Sequence, residues 1–262
     1  MQIDLRGRKA LVTGGSLGIG RAIAERLGRS GADVAIIARR QDVIERAVAE
    51  LAPVVAGRVI GFSCDVVDQT AIDSTFADVE RAVGGIDILV NNAGSSKRSA
   101  FLDMTREMLV SDLDLKLHAA VRFSQLAVPY MRSRRWGRIL NIVTVTSKAP
   151  PAASAPTTLS RAAGMALVKA MANEFAGDNI LVNGLCVGLI KSDQWVREHH
   201  ARFADMPFEE YLAAKARDNG IPLGRLGEAE EVANVACFLA SDAAAYITGT
   251  AINIDGGKCP VM

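Results

Sequence analysis

A glycine-rich segment near the amino terminus constrains the fold more than any other feature of the sequence. Residues 13–20 read TGGSLGIG, and they lie between an apolar run at Lys9–Thr13 and a segment, 19–30, with apolar residues at helical spacing. Glycines allow a tight turn and a close approach of backbone to ligand, and a helix start offers free N–H groups to phosphate. The segment therefore predicts a strand, a loop and a helix that hold the pyrophosphate of a dinucleotide. The predicted contacts are Gly14, Ser16, Leu17, Gly18, Ile19 and Gly20.

Short apolar runs alternate with longer helical segments along all 262 residues. The runs are continuously apolar, which is typical of strands covered by helices on both faces. This alternation predicts an α/β fold, a single Rossmann-type doubly wound domain over 1–262 with a mostly parallel, seven-stranded sheet. We expect a long helix at 105–132, interrupted near Pro129, and a charged, mostly helical insertion at 193–219 that acts as a substrate lid. The predicted strands are 9–13, 33–38, 58–62, 86–90, 138–145, 180–186 and 251–254.

The composition argues against several classes of function. The formal net charge is +1, so nothing indicates a nucleic-acid or anionic-membrane partner. No apolar stretch reaches the length of a membrane span, and the amino terminus runs directly into a strand pattern, so we expect a cytoplasmic protein without a signal peptide. The four cysteines lack CxxC spacing and there are three histidines, so we expect reduced thiols and no metal site.

The residues after the second predicted strand indicate which dinucleotide is bound. An NAD site usually places an acidic residue here, where it binds the ribose 2′-hydroxyl. Ala38 occupies that position, and Arg39 and Arg40 follow it. Since an arginine fork suits a 2′-phosphate, the sequence favours NADP(H) over NAD(H).

Four motifs together resemble the short-chain dehydrogenase/reductase family over nearly the whole chain. They are the TGxxxGxG pattern at 13–20, an aspartate after the third strand in 64–66, the NNAG sequence at 91–94, and the closing strand INIDGG at 252–257. A lone glycine motif is weak evidence, but this one lies between a strand and a helix and is accompanied by the other three. The combination implies the fold, cofactor class and oxidoreductase chemistry of that family.

The resemblance also implies nucleotide contacts outside the glycine loop. The residues that it assigns to the adenine and nicotinamide sides are Asp65, Val66, Asn92, Ala93, Gly94, Gly188, Ile190 and Ser192. At the carboxamide position, Val187-Gly188 replaces the Pro-Gly that the family usually has. The resemblance further implies a small-molecule substrate and a homotetramer or dimer formed through the fourth and fifth helices.

The resemblance fails at the catalytic positions. The family uses a tyrosine as acid, a lysine four residues later, a serine on the fifth strand and a helix asparagine. The residues aligned with these positions, in that order, are Thr157, Arg161, Thr144 and Asp114. Arg161 keeps a charge that binds ribose hydroxyls, but an arginine stays protonated and cannot pass a proton along. Thr157 is the severe change, because an aliphatic hydroxyl is a far weaker acid than a phenol.

Another residue is therefore needed as proton donor. Lys148 is the first candidate, because partial burial lowers the pKa of a lysine, and Lys191, His118 and Tyr211 are further candidates. Three functions stay open. The chain is an NADP(H)-dependent oxidoreductase acting on a small carbonyl, imine or alcohol through a nonstandard donor, a catalytically inactive nucleotide-binding sensor or subunit, or a non-redox lyase or hydrolase on the same fold.

Overall fold

The computed structural model describes residues 3–261, which pack around a seven-stranded parallel sheet. The strands are β1 (Lys9–Thr13), β2 (Asp33–Ala38), β3 (Val59–Ser63), β4 (Ile88–Asn91), β5 (Arg98–Ser99), β6 (Gly137–Thr144), β7 (Ala155–Pro156), β8 (Ile180–Val187) and β9 (Ala251–Ile254). The order across the sheet is β3-β2-β1-β4-β6-β8-β9, and β5 pairs with β7 in a separate antiparallel ribbon. Because β1 lies between β2 and β4, the strand order reverses there, and open sheets of this kind bind ligands at that point.

Helices cover both faces of the sheet. They are α1 (Gly18–Arg29), α2 (Gln41–Leu51), α3 (Gln69–Val83), α4 (Arg106–Leu113), α5 (Ala119–Arg134), α6 (Thr157–Phe175), α7 (Asp193–Arg202), α8 (Phe208–Asp218) and α9 (Ala229–Leu239). Successive strand residues face opposite layers, so that Val12 packs with α1, α2 and α9, whereas Leu11 packs with α3, α5 and α6. This three-layer arrangement confirms the predicted doubly wound fold.

The helix predicted at 105–132 is interrupted at a different place from the one expected. Pro129 lies inside α5, which continues to Arg134. The interruption is a π-helical turn, Asp114–His118, between α4 and α5. A π turn inserts one extra residue, and such turns often occur at functional sites because they redirect side chains. The prediction of a break near Pro129 is wrong, since a proline removes only one N–H donor and the packed helix tolerates that loss here.

The predicted insertion at 193–219 is mostly helical, since it contains α7 and α8. Its side chains form an apolar cluster in which Tyr211 is 2% exposed. Within residues 3–261, every helix is too short or too polar to cross a bilayer. Within the same residues, no three His, Cys, Asp or Glu side chains lie together as a metal ligand set would.

Candidate active site

The glycine loop between β1 and α1 is hydrogen-bonded to the loop that follows β4. Thr13 Oγ1 donates to the carbonyl of Val90 and accepts the backbone N–H groups of Asn92 and Ala93, both at 3.0 Å. The Asn92 amide donates in turn to the carbonyls of Thr13 at 2.9 Å and Gly14 at 3.1 Å. The two predicted nucleotide segments, 14–20 and 92–94, therefore form one rigid unit at the point where the strand order reverses.

The start of α1 has the features of a phosphate site. A Cβ atom added at Gly20 would lie 2.2 Å from the Gly14 carbonyl oxygen, so only glycine permits this approach of helix and loop. Leu17, the N-cap residue, makes no side-chain cap bond, and the first turn carries no acidic residue. Free N–H groups and the positive end of the helix dipole remain for an anion. These residues fit the pyrophosphate of a dinucleotide.

The residues predicted for the adenosine side lie at neighbouring strand ends. Ala38 pairs with Ser63 at the ends of β2 and β3, so that Arg39 and Asp65 follow adjacent strands at the same edge of the sheet. Arg39 and Arg40 are exposed, and neither forms an ion pair with another of the side chains that the structure describes. Both guanidinium groups are thus available to a ligand phosphate. Val66 is buried, and Asp65 is exposed.

The residues predicted for the nicotinamide side follow β8. A Cβ atom at Gly188 would lie 2.7 Å from Asp255 Cβ, so the chain needs glycine there. Ile190 is 7% exposed, and Ser192 is the exposed N-cap of α7. Lys191 pairs with Glu228 at 2.7 Å, and this carboxylate raises the pKa of the lysine. A raised pKa makes Lys191 a poorer proton donor, which argues against its predicted catalytic role.

Thr157 occupies the first position of α6, where the β5–β7 ribbon holds it. The ribbon joins the loop after β4 to the segment before α6, through the pairs Arg98–Pro156 and Ser99–Ala155. Thr157 Oγ1 accepts the backbone N–H of Lys97 at 2.8 Å and the ammonium of Lys116 at 3.0 Å. A half-buried hydroxyl therefore lies at the carboxyl edge of the sheet with two donors directed at it.

Lys116 belongs to a buried charge cluster behind Thr157. Its Nζ donates to both carboxylate oxygens of Asp112 at 2.7 Å, and the two side chains are 1% and 0% exposed. Ser160 Oγ donates to Asp112 Oδ2 at 2.6 Å. Burial lowers the pKa of the Lys116 ammonium to about 8, the carboxylate of Asp112 opposes this shift, and the nearby charge of Arg161 adds to it. The cluster therefore holds a lysine poised to release a proton near neutral pH.

Arg161 lies between this cluster and the nucleotide loop. It donates to the carbonyl of Ile142, and its Nη2 would lie 2.5 Å from a Cβ atom at Gly94. Gly94 thus leaves room for the Arg161 guanidinium beside the 92–94 loop, which is hydrogen-bonded to the glycine loop. Burial lowers the pKa of Arg161 to about 10, with Asp112 opposing, so the side chain stays positive at neutral pH. This placement suits the predicted contact with a ribose.

Thr144 belongs to a separate chain of hydroxyl groups. Its Oγ1 donates to the carbonyl of Val187 at 3.2 Å and accepts from Thr146 Oγ1 at 3.3 Å, while Thr158 donates to Thr146 at 3.3 Å. Within residues 3–261 no hydrogen bond joins Thr144 to Thr157. The hydroxyl remains at the carboxyl end of β6, where it can orient a substrate oxygen.

Four predicted candidates lie outside the cluster. Asp114, predicted at the asparagine position, is 39% exposed and pairs with His118 at 2.7 Å on the outer side of the π turn. Lys148 donates to the carbonyl of Ala251 at 2.8 Å, on the β9 side. Tyr211 is buried in the apolar cluster of the 193–219 insertion. Asp114, aligned with the asparagine position, lies away from Thr157, because helical geometry puts Asp112 and Lys116 on the inner face and turns residue 114 outward.

Sequence reasoning missed Lys116, although the sequence carries a signal for it. Asp112 and Lys116 are followed by Ala119, Ala120 and Phe123, at spacings of three to four residues, and all five are buried. This spacing marks one helix face directed at the core. A lysine and an aspartate four residues apart on such a face form a buried ion pair, whereas Asp114 falls off the stripe.

A wide cavity near the carboxyl end of the sheet lies beyond β9, away from Thr157. It measures about 510 Å³ and is lined by residues of the loop before α9 and of the turn after β9, including Leu223, Arg225 and Asp255. A narrow cavity lies directly beneath the charge cluster, and it is lined by Lys116, Arg161 and their neighbours. The buried charged side chains lie around the narrow cavity. The greater volume of the other cavity therefore does not identify it as the functional site.

Comparisons with known proteins agree with this geometry. A family model described as Enoyl-(Acyl carrier protein) reductase matches residues 14–258. The chain is 34% identical over 257 residues to the 3-oxoacyl-[acyl-carrier-protein] reductase FabG of Aquifex aeolicus (strain VF5), which covers 98% of this chain and 99% of that protein.

Two solved structures are similar over essentially the full length. L-sorbose reductase from Gluconobacter frateurii, in complex with NADPH and L-sorbose, has a TM-score of 0.94 and 32% identity, with 100% of both chains covered. An NADPH-bound short-chain oxidoreductase from Pseudomonas aeruginosa PAO1, described as containing an atypical catalytic center, has a TM-score of 0.93 and 35% identity, covering 99% of this chain and 100% of that one. The chain therefore belongs to the short-chain dehydrogenase/reductase family of oxidoreductases.

Proposed function

We propose that the chain is an NADP(H)-dependent oxidoreductase that acts on a small carbonyl, imine or alcohol through a proton donor other than tyrosine. The observation that carries this proposal is that the predicted dinucleotide site borders the buried cluster of Lys116 and Asp112. The loop at 92–94 is bonded to the glycine loop and also borders Arg161, which lies beside Lys116. The Gluconobacter and Pseudomonas relatives were both solved with NADPH, which supports the cofactor assignment.

The residues that hold the cofactor divide into five groups. The glycine loop and the start of α1 bind the pyrophosphate, Asp65 and Val66 contact the adenine, and Arg39 and Arg40 bind the 2′-phosphate. Arg161 binds the nicotinamide ribose, and the segment Gly188–Ser192 binds the carboxamide. A bound nicotinamide supplies or accepts a hydride. Thr144 keeps a hydroxyl at the carboxyl end of β6, and it orients the substrate oxygen once that hydroxyl turns away from the Val187 carbonyl, to which it donates in the structure.

Self-association and cellular location complete the proposal. Exposed apolar side chains on α4, α6 and the segment before them, among them Val110, Leu159 and Leu102, provide a surface that a second copy covers in a homotetramer or dimer. Light scattering coupled to size-exclusion chromatography measures this mass directly. We propose a cytoplasmic location, because all four cysteines are free thiols, as is usual for proteins of a reducing compartment.

Two measurements separate this function from its alternatives. Fluorescence titration with NADPH and NADH measures cofactor affinity, and NADPH oxidation against a panel of carbonyls and cyclic imines measures turnover. Tight NADPH binding with turnover supports the oxidoreductase. Tight binding without turnover across the panel indicates a nucleotide-binding sensor or subunit. Negligible NADPH affinity indicates a non-redox enzyme on this fold.

A further inference from the structure

The hydrogen bonds at Thr157 fix the direction in which its hydroxyl donates. Oγ1 has two lone pairs, and the donors that occupy them are the ammonium of Lys116 and the backbone N–H of Lys97. Neither group accepts a hydrogen bond, so the proton of the hydroxyl is left for a third direction. Thr157 is half-buried, and it precedes Arg161 by one turn of α6, so it lies next to the loop that is bonded to the nucleotide cradle.

The bonds of Lys116 account for all three of its ammonium protons. Two are directed at the carboxylate oxygens of Asp112, and the third is directed at Thr157 Oγ1. The lysine therefore donates to the threonine, and the threonine donates onward. Three charged groups face the ammonium from the elements around it, namely Asp112 on α4, Arg161 on α6 and Lys97 before β5.

Resting on the proposed oxidoreductase function, we propose that Thr157 gives its hydroxyl proton to the substrate and that Lys116 replaces it in the same step. This relay answers the objection that an aliphatic hydroxyl is too weak an acid. No free alkoxide forms, because Oγ1 gains the ammonium proton of Lys116 as it loses its own. Arg161 cannot take the place of the lysine, since a guanidinium keeps its proton at neutral pH.

The step balances in atoms and electrons for reduction of a carbonyl. The substrate carbon gains a hydride, with its electron pair, from the reduced nicotinamide cofactor of the proposed function. The carbonyl oxygen forms a new bond to the Thr157 proton, and the Oγ1–H bond breaks. Oγ1 bonds to a proton of Lys116, and the Nζ–H bond breaks to leave a neutral amine. Water returns a proton to the amine after the alcohol leaves.

Two probes separate proton donation from a structural role. Reduction of the diketone diacetyl needs a hydride and a proton, whereas reduction of an N-methyl-dihydroisoquinolinium ion to its tertiary amine needs the hydride alone. Thr157→Val removes the hydroxyl and leaves the Lys116–Asp112 pair intact, and Thr157→Ser restores a hydroxyl. We expect Thr157→Val to slow diacetyl reduction by about 10² to 10⁴-fold, the range for loss of a general acid. Iminium reduction by the same variant stays within about threefold, and Thr157→Ser recovers most of the diacetyl rate.

Equal losses on both probes, or no loss on either, overturn the relay while leaving the oxidoreductase function in place. Turnover of neither probe by the unchanged protein overturns the proposed function, and the relay falls with it. Lys169→Met, on an exposed lysine of α6, serves as the control for loss of a lysine away from the cluster.

A second readout needs no turnover. Carbon-13 NMR of lysine-labelled protein without cofactor follows the titration of Lys116, whose signal is assigned with Lys116→Met. We expect this signal to titrate below the ordinary range of a lysine, and lower still in Thr157→Val, where the acceptor that stabilises the charged form is gone. The Asp112→Asn/Lys116→Met double variant keeps the test workable where the single lysine variant fails to fold. A Lys116 signal that titrates with the surface lysines and ignores Thr157→Val overturns the inference.

Discussion

Replacement of Asp112 by asparagine tests how strongly the buried charges of the site depend on one another. The Asp112 carboxylate accepts two hydrogen bonds from Lys116 and one from Ser160, and it is 0% exposed. Asparagine keeps an oxygen for Ser160 but carries no charge, so Lys116 becomes a buried cation beside Arg161. Removal of one partner from a buried ion pair costs about 3–5 kcal/mol. For a chain of this size, that loss lowers Tm by roughly 10 °C.

The loss of stability in Asp112→Asn depends on pH, because Lys116 can release its proton. Burial already lowers the pKa of Lys116 to about 8, and loss of the Asp112 charge, which raises it, lowers it further. Between that lower value and about 8, the lysine is neutral in the folded variant but charged in the unfolded chain. The folded variant binds fewer protons than the unfolded chain there, so its stability rises with pH while that of the wild type does not. The difference in free energy of unfolding between the variant and the wild type therefore becomes smaller as pH rises towards 8.

Urea unfolding of four proteins at two pH values, about pH 6 and about pH 8, measures this coupling. They are the wild type, Asp112→Asn, Lys116→Met and the double variant. The double variant removes both charges, so we expect a free energy of unfolding within about 1–2 kcal/mol of the wild type, well above either single variant. Strictly additive losses, or a gap that is the same at both pH values, would refute the reasoning.

Three further predictions concern the nucleotide site and the proton source. Arg39→Ala weakens NADPH binding by about tenfold or more and leaves NADH binding unchanged, because a charge-assisted bond to the 2′-phosphate contributes about 1.5–3 kcal/mol; parallel fluorescence titrations check this, and equal losses contradict it. Gly20→Ala abolishes NADPH binding, since its Cβ would lie 2.2 Å from the Gly14 oxygen, whereas Gly177→Ala, which meets open space, binds normally. The rate of diacetyl reduction falls above a pH of about 8 as Lys116 loses its proton, and a flat profile to a pH of about 10 would contradict this.

The sequence predicts the fold well because local and global signals agree. The strand predicted at 33–38 is β2, and the helix predicted after the glycine loop is α1, which runs over Gly18–Arg29. Continuous apolar runs identify strands covered on both faces, and a glycine loop identifies the ligand edge. The predicted break near Pro129 is wrong, because the prediction rests on local backbone chemistry alone. The tertiary packing of α5 keeps the helix intact through the proline.

The site is less predictable, because its residues meet through tertiary contacts. Thr157 and Arg161 can be located in the sequence because each lies at a fixed spacing from the fifth predicted strand. Both also lie on one continuous helix, α6, so the spacing is preserved. The asparagine position has no such anchor, and a shift of two residues separates Asp114 from Lys116. Only the structure shows that Asp112 and Lys116, rather than Asp114, are the buried residues of this segment. The bond between Thr157 and Lys97 depends on a two-residue ribbon that no sequence pattern marks.

The charges around Thr157 restrict which substrates suit the site. Lys116 and Arg161 carry positive charge against the single carboxylate of Asp112, so the cluster of these three groups holds one net positive charge before reaction, and the neighbouring Lys97 adds to the positive field. This charge stabilises negative charge that develops on a substrate oxygen as hydride arrives, and transfer of one proton through Thr157 leaves the cluster neutral. A cationic iminium is repelled by the same charge and has no use for the proton. The cluster therefore favours neutral carbonyl substrates over iminium ions in binding, even though an iminium ion alone can react without Thr157.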